Sequence, residues 1–203
     1  MELKHQAATA RKWRASLREV ERHFPSDLPP IFFLTDPRRI ADPVLAVSAL
    51  PPGTGVIYRH FGAGGRADVA AQLASACASQ KLFLLISADP ELALSVGAYG
   101  VHWPESRLQH ARRWQGKFAL QTASAHSRRA IWRAACAGMN AVLVSKLYIS
   151  ESTSGGREMG AIRFRQLASQ SRLPVYALGG IRADNAARTA KAGGFAAIQG
   201  LLD

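Results

Sequence analysis

Cysteine is almost missing from this chain: Cys77 and Cys136 are the only two among 203 residues. That excludes a disulfide-stapled scaffold. Both fall in stretches that read as helices facing a core, so two buried thiols in a reduced compartment are expected. No clustering of Cys and His with metal-ligand spacing occurs, so no metal site is expected from these residues. Long hydrophobic runs are missing too. The longest, such as Leu82-Phe83-Leu84-Leu85-Ile86, fall far short of a bilayer span, and no membrane partner is expected. The basic N-terminus lacks the apolar stretch and small-residue cleavage site of a secretory signal, which makes the cytoplasm the expected location. Acidic residues are scarce, 14 Asp and Glu against 26 Lys and Arg, for a formal net charge of +12. Such a surface draws anions. Apart from Arg11-Lys12-Trp13-Arg14 the cations are scattered, as solvated helix faces scatter them. The expected partner is therefore a phosphorylated small molecule, with no nucleic acid; a homodimer is allowed for.

What is present is enough apolar residue, 48% of the chain, to fill a continuous core. Residues 1–24 read as an amphipathic helix, with Trp13, Leu17, Val20 and Phe24 at helical spacing, and Phe24-Pro25-Ser26-Asp27-Leu28-Pro29-Pro30 breaks it. Eight short apolar runs follow: Ile31–Thr35, Gly55–Arg59, Leu82–Ser87, Gly100–Trp103, Phe118–Ala123, Ala141–Ser145, Val175–Leu178 and Phe195–Ile198. Helical patterns alternate with them, including Ala67–Ser79, Pro90–Val96, Ser106–Trp114, Ser127–Ala137, Ala161–Ser171 and Ala183–Ala192. Strands alternating with helices imply parallel βαβ units, and eight strands close the smallest barrel that side chains can fill. The fold class is thus α/β, one (β/α)8 TIM barrel over residues 31–203 of a single domain spanning 1–203, with an open doubly wound sheet as the alternative. Only Gln199-Gly200-Leu201-Leu202-Asp203 follow the eighth run, so the eighth helix is missing or truncated. The N-terminal helix is expected to cover the gap between strands eight and one, or to seal the barrel bottom.

In such barrels the working groups stand at strand C-termini and in the loops after them. After the seventh run come Gly179-Gly180, and after the eighth Gln199-Gly200. Adjacent glycines let backbone N–H groups approach an oxyanion, although a turn and helix stop would use them equally. Thr122, Ser124 and His126 share one face of an extended segment, where a histidine can move a proton; helix capping is the other reading. The polar loop Ser150-Glu151-Ser152-Thr153-Ser154-Gly155-Gly156-Arg157, entered through Lys146 and Tyr148, is placed to act as a lid. Arg59 ends the second run on the face set by Ile57 and could hold a phosphate bidentately, or be an ordinary surface arginine. Asp36, His102 and Glu105 also end strands, with His102 readable as a satisfied core histidine.

Taken together these stretches resemble the thiamine phosphate synthase family, including its TenI-like thiazole tautomerase branch. The carriers are Phe33-Leu34-Thr35-Asp36, Asp89-Pro90-Glu91-Leu92-Ala93 leading to Gly97-Ala98-Tyr99-Gly100-Val101-His102, then Ser124-Ala125-His126-Ser127. Leu173-Pro174-Val175-Tyr176-Ala177-Leu178-Gly179-Gly180-Ile181 and Ala192-Gly193-Gly194-Phe195-Ala196-Ala197-Ile198 complete them. The resemblance implies a synthase that joins a pyrimidine diphosphate to a thiazole phosphate with magnesium, or a metal-independent tautomerase. It keeps the family's arginine as Arg59, but puts Phe61 where the family has lysine, Ser87-Ala88 where it has Asn-Asp, and Arg107 where it has a second metal-binding aspartate. Neither Ala nor Arg can serve magnesium. The leading expectation is therefore an enzyme, a thiazole tautomerase-like isomerase without cofactor, in which His126 and Arg59 are catalytic. Ser124, Thr122, Gly179, Gly180, Gln199, Gly200, Ser152 and Lys146 would hold the phosphorylated substrate. The alternatives are a magnesium-dependent thiamine phosphate synthase and a non-catalytic phosphate-ligand binding protein.

Overall fold

The computed structural model describes residues 2–60, 64–149 and 158–201, with side chains of the first helix described from residue 8 onward. Eight parallel strands close into a barrel in chain order: β1 (Ile31–Leu34), β2 (Gly55–Tyr58), β3 (Phe83–Ser87), β4 (Gly100–Trp103), β5 (Leu120–Ala125), β6 (Ala141–Val144), β7 (Val175–Leu178) and β8 (Gly194–Ala197). The ring closes through β8 on β1, with Phe32 opposite Ala196. Helices on the outside are α1 (Glu2–Glu21), α2 (Pro43–Val47), α3 (Arg66–Ser79), α4 (Pro90–Ser95), α5 (Leu108–Ala111), α6 (Arg128–Cys136) and α7 (Gly160–Ser169). None of the described helices is long and apolar enough to cross a membrane.

Strand alternation divides the chain into two apolar layers. Outward residues such as Val56, Ile86, Val101, Val142 and Phe195 pack beneath the helices. Inward residues Phe32, Leu34, Ile57, Leu85, Leu120, Leu143 and Tyr176 fill the barrel axis. Glycine is required where two large rings turn inward. A Cβ on Gly55 would fall 2.2 Å from the Phe32 ring, and one on Gly194 would fall 2.5 Å from Tyr176. Above this apolar plug the inward positions become polar, which makes the C-terminal mouth the wet end of the barrel.

The N-terminal segment lies against β8 with one part and against the barrel bottom with another. From α1, Trp13 packs edge-on against outward Phe195 of β8, ring centroids 6.1 Å apart, so the helix covers that strand. The linker seals the bottom: Phe24 meets Tyr176 edge-on at 4.9 Å, and the Tyr176 hydroxyl donates to the Pro29 carbonyl at 2.6 Å.

Several local expectations are corrected. The helical pattern 183–192 yields only a 3₁₀ turn, Ala186–Arg188, because Asn185 bonds the Gly180 carbonyl and the Arg182 N–H instead. The pattern 106–114 breaks into 3₁₀ turns flanking the four-residue α5. β5 starts two residues later than expected, because Phe118 stacks on Trp114 in the preceding turn. An unforeseen helix, α2, forms where Asp42 caps the N–H groups of Val44 and Leu45. Cys77 is buried, but Cys136 is exposed, since α6 buries the face carrying Ala130, Ile131 and Ala134.

Candidate functional site

A cavity of about 750 Å³ opens at the C-terminal ends of the strands. Arg59, Ser124, His126, Lys146, Gly179, Gly180, Gln199 and Gly200 all line it, as do Arg39, Ser145 and Arg182. Among the described residues its lining thus carries four cationic side chains and no carboxylate. Ser152 and Phe61 lie outside the described residues, with the rest of the expected lid loop.

The loops after β6, β7 and β8 interlock. Leu147 and Tyr148 donate their N–H groups to the Leu178 and Gly179 carbonyls at 2.9 and 3.0 Å. Gly179 and Gly180 take positive φ, +100 and +66, and a Cβ on Gly180 would lie 2.5 Å from the Ile149 carbonyl oxygen. These glycines are therefore needed for packing, independently of any ligand. Gly200 is tied down from outside, because the Trp13 indole N–H donates to its carbonyl at 2.9 Å. Among the described residues, the N–H groups of Gly180, Ile181, Gln199 and Gly200 donate to no protein acceptor. Unpaired N–H groups on residues that line a cavity suit an oxyanion.

Arg59 is aimed by its neighbours. Its backbone N–H donates to Thr35 Oγ1 and its Nε to the Thr35 carbonyl, both at 3.0 Å. Its Nη2 lies 3.6 Å from Asp36, which also faces Arg39 at 3.9 Å. Burial pulls the Arg59 guanidinium below its ordinary range, while the Asp36 carboxylate pulls it back up. With one carboxylate shared by two arginines, this edge keeps net positive charge.

Thr122, Ser124 and His126 do not converge as a set. Thr122 is fully buried and absent from the cavity lining, its hydroxyl 2.9 Å from His102 Nδ1. Ser124 Oγ stands 3.0 Å from His102 Nε2 and reaches the cavity. His102 is thus a satisfied interior histidine, and burial pushes its pKa down to about 3. His126 lies one residue past β5, exposed, with Nδ1 3.0 Å from the Ser145 carbonyl. The Ser145 hydroxyl lies 3.3 Å from the same nitrogen, so Nδ1 finds a partner at Ser145 whether it donates or accepts. Together with Ser124, His126 also borders a second cavity of about 620 Å³ that runs over the loop after β4.

The family's magnesium was tested against the donors at the ends of β3 and β4. Ala88 and Arg107 do meet there, Arg107 Nη1 donating to the Ala88 carbonyl at 3.2 Å. The nearest carboxylate, Asp89, is paired with Arg66 and caps the Leu92 N–H at the start of α4. A methyl group and a guanidinium offer magnesium no oxygen, so these residues do not fit the metal. Among the described residues, no group of three or more His, Cys, Asp and Glu is arranged to hold an ion.

Arg39 and Arg182 were missed in the sequence. Their signal was position alone: Arg182 follows Gly179-Gly180-Ile181 directly, and Arg39 sits three residues after Asp36 in the first strand's loop.

Comparison with known proteins agrees with this architecture. Residues 32–201 match a family model described as thiamine monophosphate synthase. The thiamine-phosphate synthase of Chromobacterium violaceum is 34% identical over 167 residues, 78% of this chain and 80% of that one. That of Prochlorococcus marinus is 31% identical over 118 residues, 57% of this chain, and the match spans only 34% of that relative's length. Among solved structures, thiamine phosphate pyrophosphorylase from Pyrococcus furiosus superposes with a TM-score of 0.71 at 22% identity, covering 83% of this chain and 84% of the other, which speaks to the fold. The names of these relatives favour the synthase alternative over the tautomerase expectation.

Proposed function

This chain belongs to the thiamine monophosphate synthase family, and from that premise we propose that its mouth binds a thiazole phosphate and joins it to a pyrimidine supplied as its diphosphate. The observation that carries the binding half is a cavity lined by Gly180, Ile181, Gln199 and Gly200, whose N–H groups have no acceptor among the described residues, together with Arg39, Arg59, Lys146 and Arg182. A phosphoryl group on these amides would be met by positive charge from both sides. Arg59, held by Thr35 and Asp36, presents its guanidinium without a large loss of side-chain freedom. Ser124, oriented by His102, offers a hydroxyl between the cradle and the second cavity. In the joining step the bond from the pyrimidine methylene to the diphosphate oxygen breaks, the diphosphate leaves with the electron pair, and the thiazole nitrogen forms the new bond. Fixed positive charge near the departing oxygens lowers the barrier.

A second reading, isomerisation of a carboxylated thiazole phosphate, is favoured by the position of His126, which lines the cavity with Nδ1 held at Ser145. Moving a proton between carbon atoms needs no metal. One experiment weighs both. Thiazole phosphate and its carboxylated precursor are titrated in a thermal-shift assay, followed by turnover assays for diphosphate release and for double-bond migration. Diphosphate release that survives His126→Ala supports the joining reaction. Migration abolished by His126→Ala with retained binding supports the isomerase. If neither compound raises the melting temperature, the thiazole assignment is wrong; binding without turnover leaves a phosphate-ligand binding protein.

A further inference from the structure

The ends of β3 and β4 are described by their own charges, and these oppose a divalent cation. Arg107, exposed in the turn after β4, reaches back to the Ala88 carbonyl at 3.2 Å. Arg66, from the first turn of α3, lies on the other side of the same strand end, pairing Asp89 and donating to the Ser87 carbonyl at 3.2 Å. Arg59 stands one residue beyond the paired residues Tyr58 and Ile86, next to Ser87 in register. Two guanidiniums, those of Arg66 and Arg107, therefore border the end of β3, while that of Arg59 is held at the neighbouring end of β1 by Thr35 and Asp36. The carboxylate nearest the β3 end is already committed to Arg66 and to the α4 cap.

We infer that the mouth has a second anion site at the ends of β3 and β4, where the Arg107 guanidinium takes a diphosphate directly, with no divalent cation. Naming the diphosphate rests on the joining reaction above; the anion site itself rests on the charges. Arg107 uses one donor on Ala88, and among the described residues its other donors have no protein partner. A planar fork with donors to spare matches phosphoryl oxygens geometrically, which a bare ammonium would not. The site also lies across the barrel from the glycine loops, since β3 and β4 are separated from β7 and β8 by half the ring. Ser124 and His126 of the β5 end line both the glycine-loop cavity and the second cavity. The lining of the second cavity includes Ser106 and Leu108, on either side of Arg107, and the Glu105 carboxylate, which is paired with Arg133. The half-ring separation suits a reaction between two phosphorylated partners, and a single monophosphate would leave it unused.

The test is isothermal titration of the full chain with inorganic diphosphate, in EDTA and again with magnesium. The expected result is binding in EDTA that magnesium changes less than about twofold. Arg107→Ala should weaken it about tenfold or more, as loss of a charged hydrogen-bonding partner does, and Arg107→Lys should fall between. Arg107 is exposed, so both variants should melt with the wild type. The paired change Ala88→Asp with Arg107→Asp should invert the behaviour and make diphosphate binding require magnesium. Binding that needs magnesium in the wild type, or that Arg107→Ala leaves untouched, overturns the inference. Thiazole phosphate is titrated in parallel: if it binds to neither protein while diphosphate still depends on Arg107, the joining reaction fails and the anion site stands.

Discussion

At the end of β4, His102 gives both ring nitrogens to hydroxyls, Thr122 at 2.9 Å and Ser124 at 3.0 Å, and its pKa falls to about 3. A pKa depressed on folding means that between about pH 6.5 and 3 the unfolded chain binds a proton that the folded chain refuses. The slope of stability against pH is then positive in that window, so His102 contributes fully above it and loses its contribution as the pH drops. Urea midpoints at pH 7 and pH 4.5 should therefore diverge in the wild type and converge in His102→Gln. Equal convergence in both would remove this account. The same contacts explain what a sequence reader can and cannot see. Strand parity put Ser124 and Arg59 at the mouth correctly, because an alternating pattern carries direction. It could not show that Thr122 lies beneath His102, since that depends on how far along the axis the apolar filling ends. Nor could it show that Cys136 is exposed, which depends on the rotation of α6 about its own axis.

The elements hold their positions through unequal neighbours. Gly100 lets β4 lie against β5: a Cβ there would fall 1.8 Å from the Leu120 carbonyl oxygen, with backbone that cannot swing aside. Gly100→Ala should destabilise the barrel by about 2 kcal/mol or more, read from chemical denaturation, with little change in any ligand affinity that survives. α1 behaves differently, because its Trp13 touches the site. Trp13→Phe keeps an aromatic ring against Phe195 but removes the indole donor to Gly200. A loss of about 1 kcal/mol in stability should come with weaker binding of the phosphorylated ligand, and the change in tryptophan emission on titration of the wild type should be smaller in the variant. An unaltered affinity would mean that the β8 loop keeps its shape without the helix. The long helices and all eight strands were legible in the periodicity. The segment after β7 was not, because Asn185 turns its side chain back on the preceding loop, to the Gly180 carbonyl and the Arg182 N–H, and no periodicity announces such a bond.

Across the whole molecule, charge and shape point to the same end of the barrel. The formal net charge of +12 is spread over the surface, yet the mouth concentrates four cations around one cavity and a further guanidinium, Arg107, stands at the end of β3. Binding of phosphoryl ligands should therefore weaken as ionic strength rises. The affinity for thiazole phosphate measured at 50 mM and 500 mM salt checks this, and a salt-independent affinity would mean that the backbone amides act without the side chains. The barrel could be read from the order of runs and the mouth from their C-terminal ends. The resemblance to the family supplied the ligand class. The choice between joining and isomerisation turns on protons and metal ligands, and neither property leaves a periodic trace in a chain.

The bond from Trp13 to Gly200 spans 187 positions of sequence. Such a contact can form only after the chain has been made as far as the loop after β8, and the closing pair β1 and β8 carries the same requirement. During synthesis the early strands must therefore wait, their edges unpaired, until the last strand arrives. The glycine loop therefore takes its shape only once β8 is in place and Trp13 has reached Gly200. A barrel that lacks β8 lacks the ring closure and that anchor together.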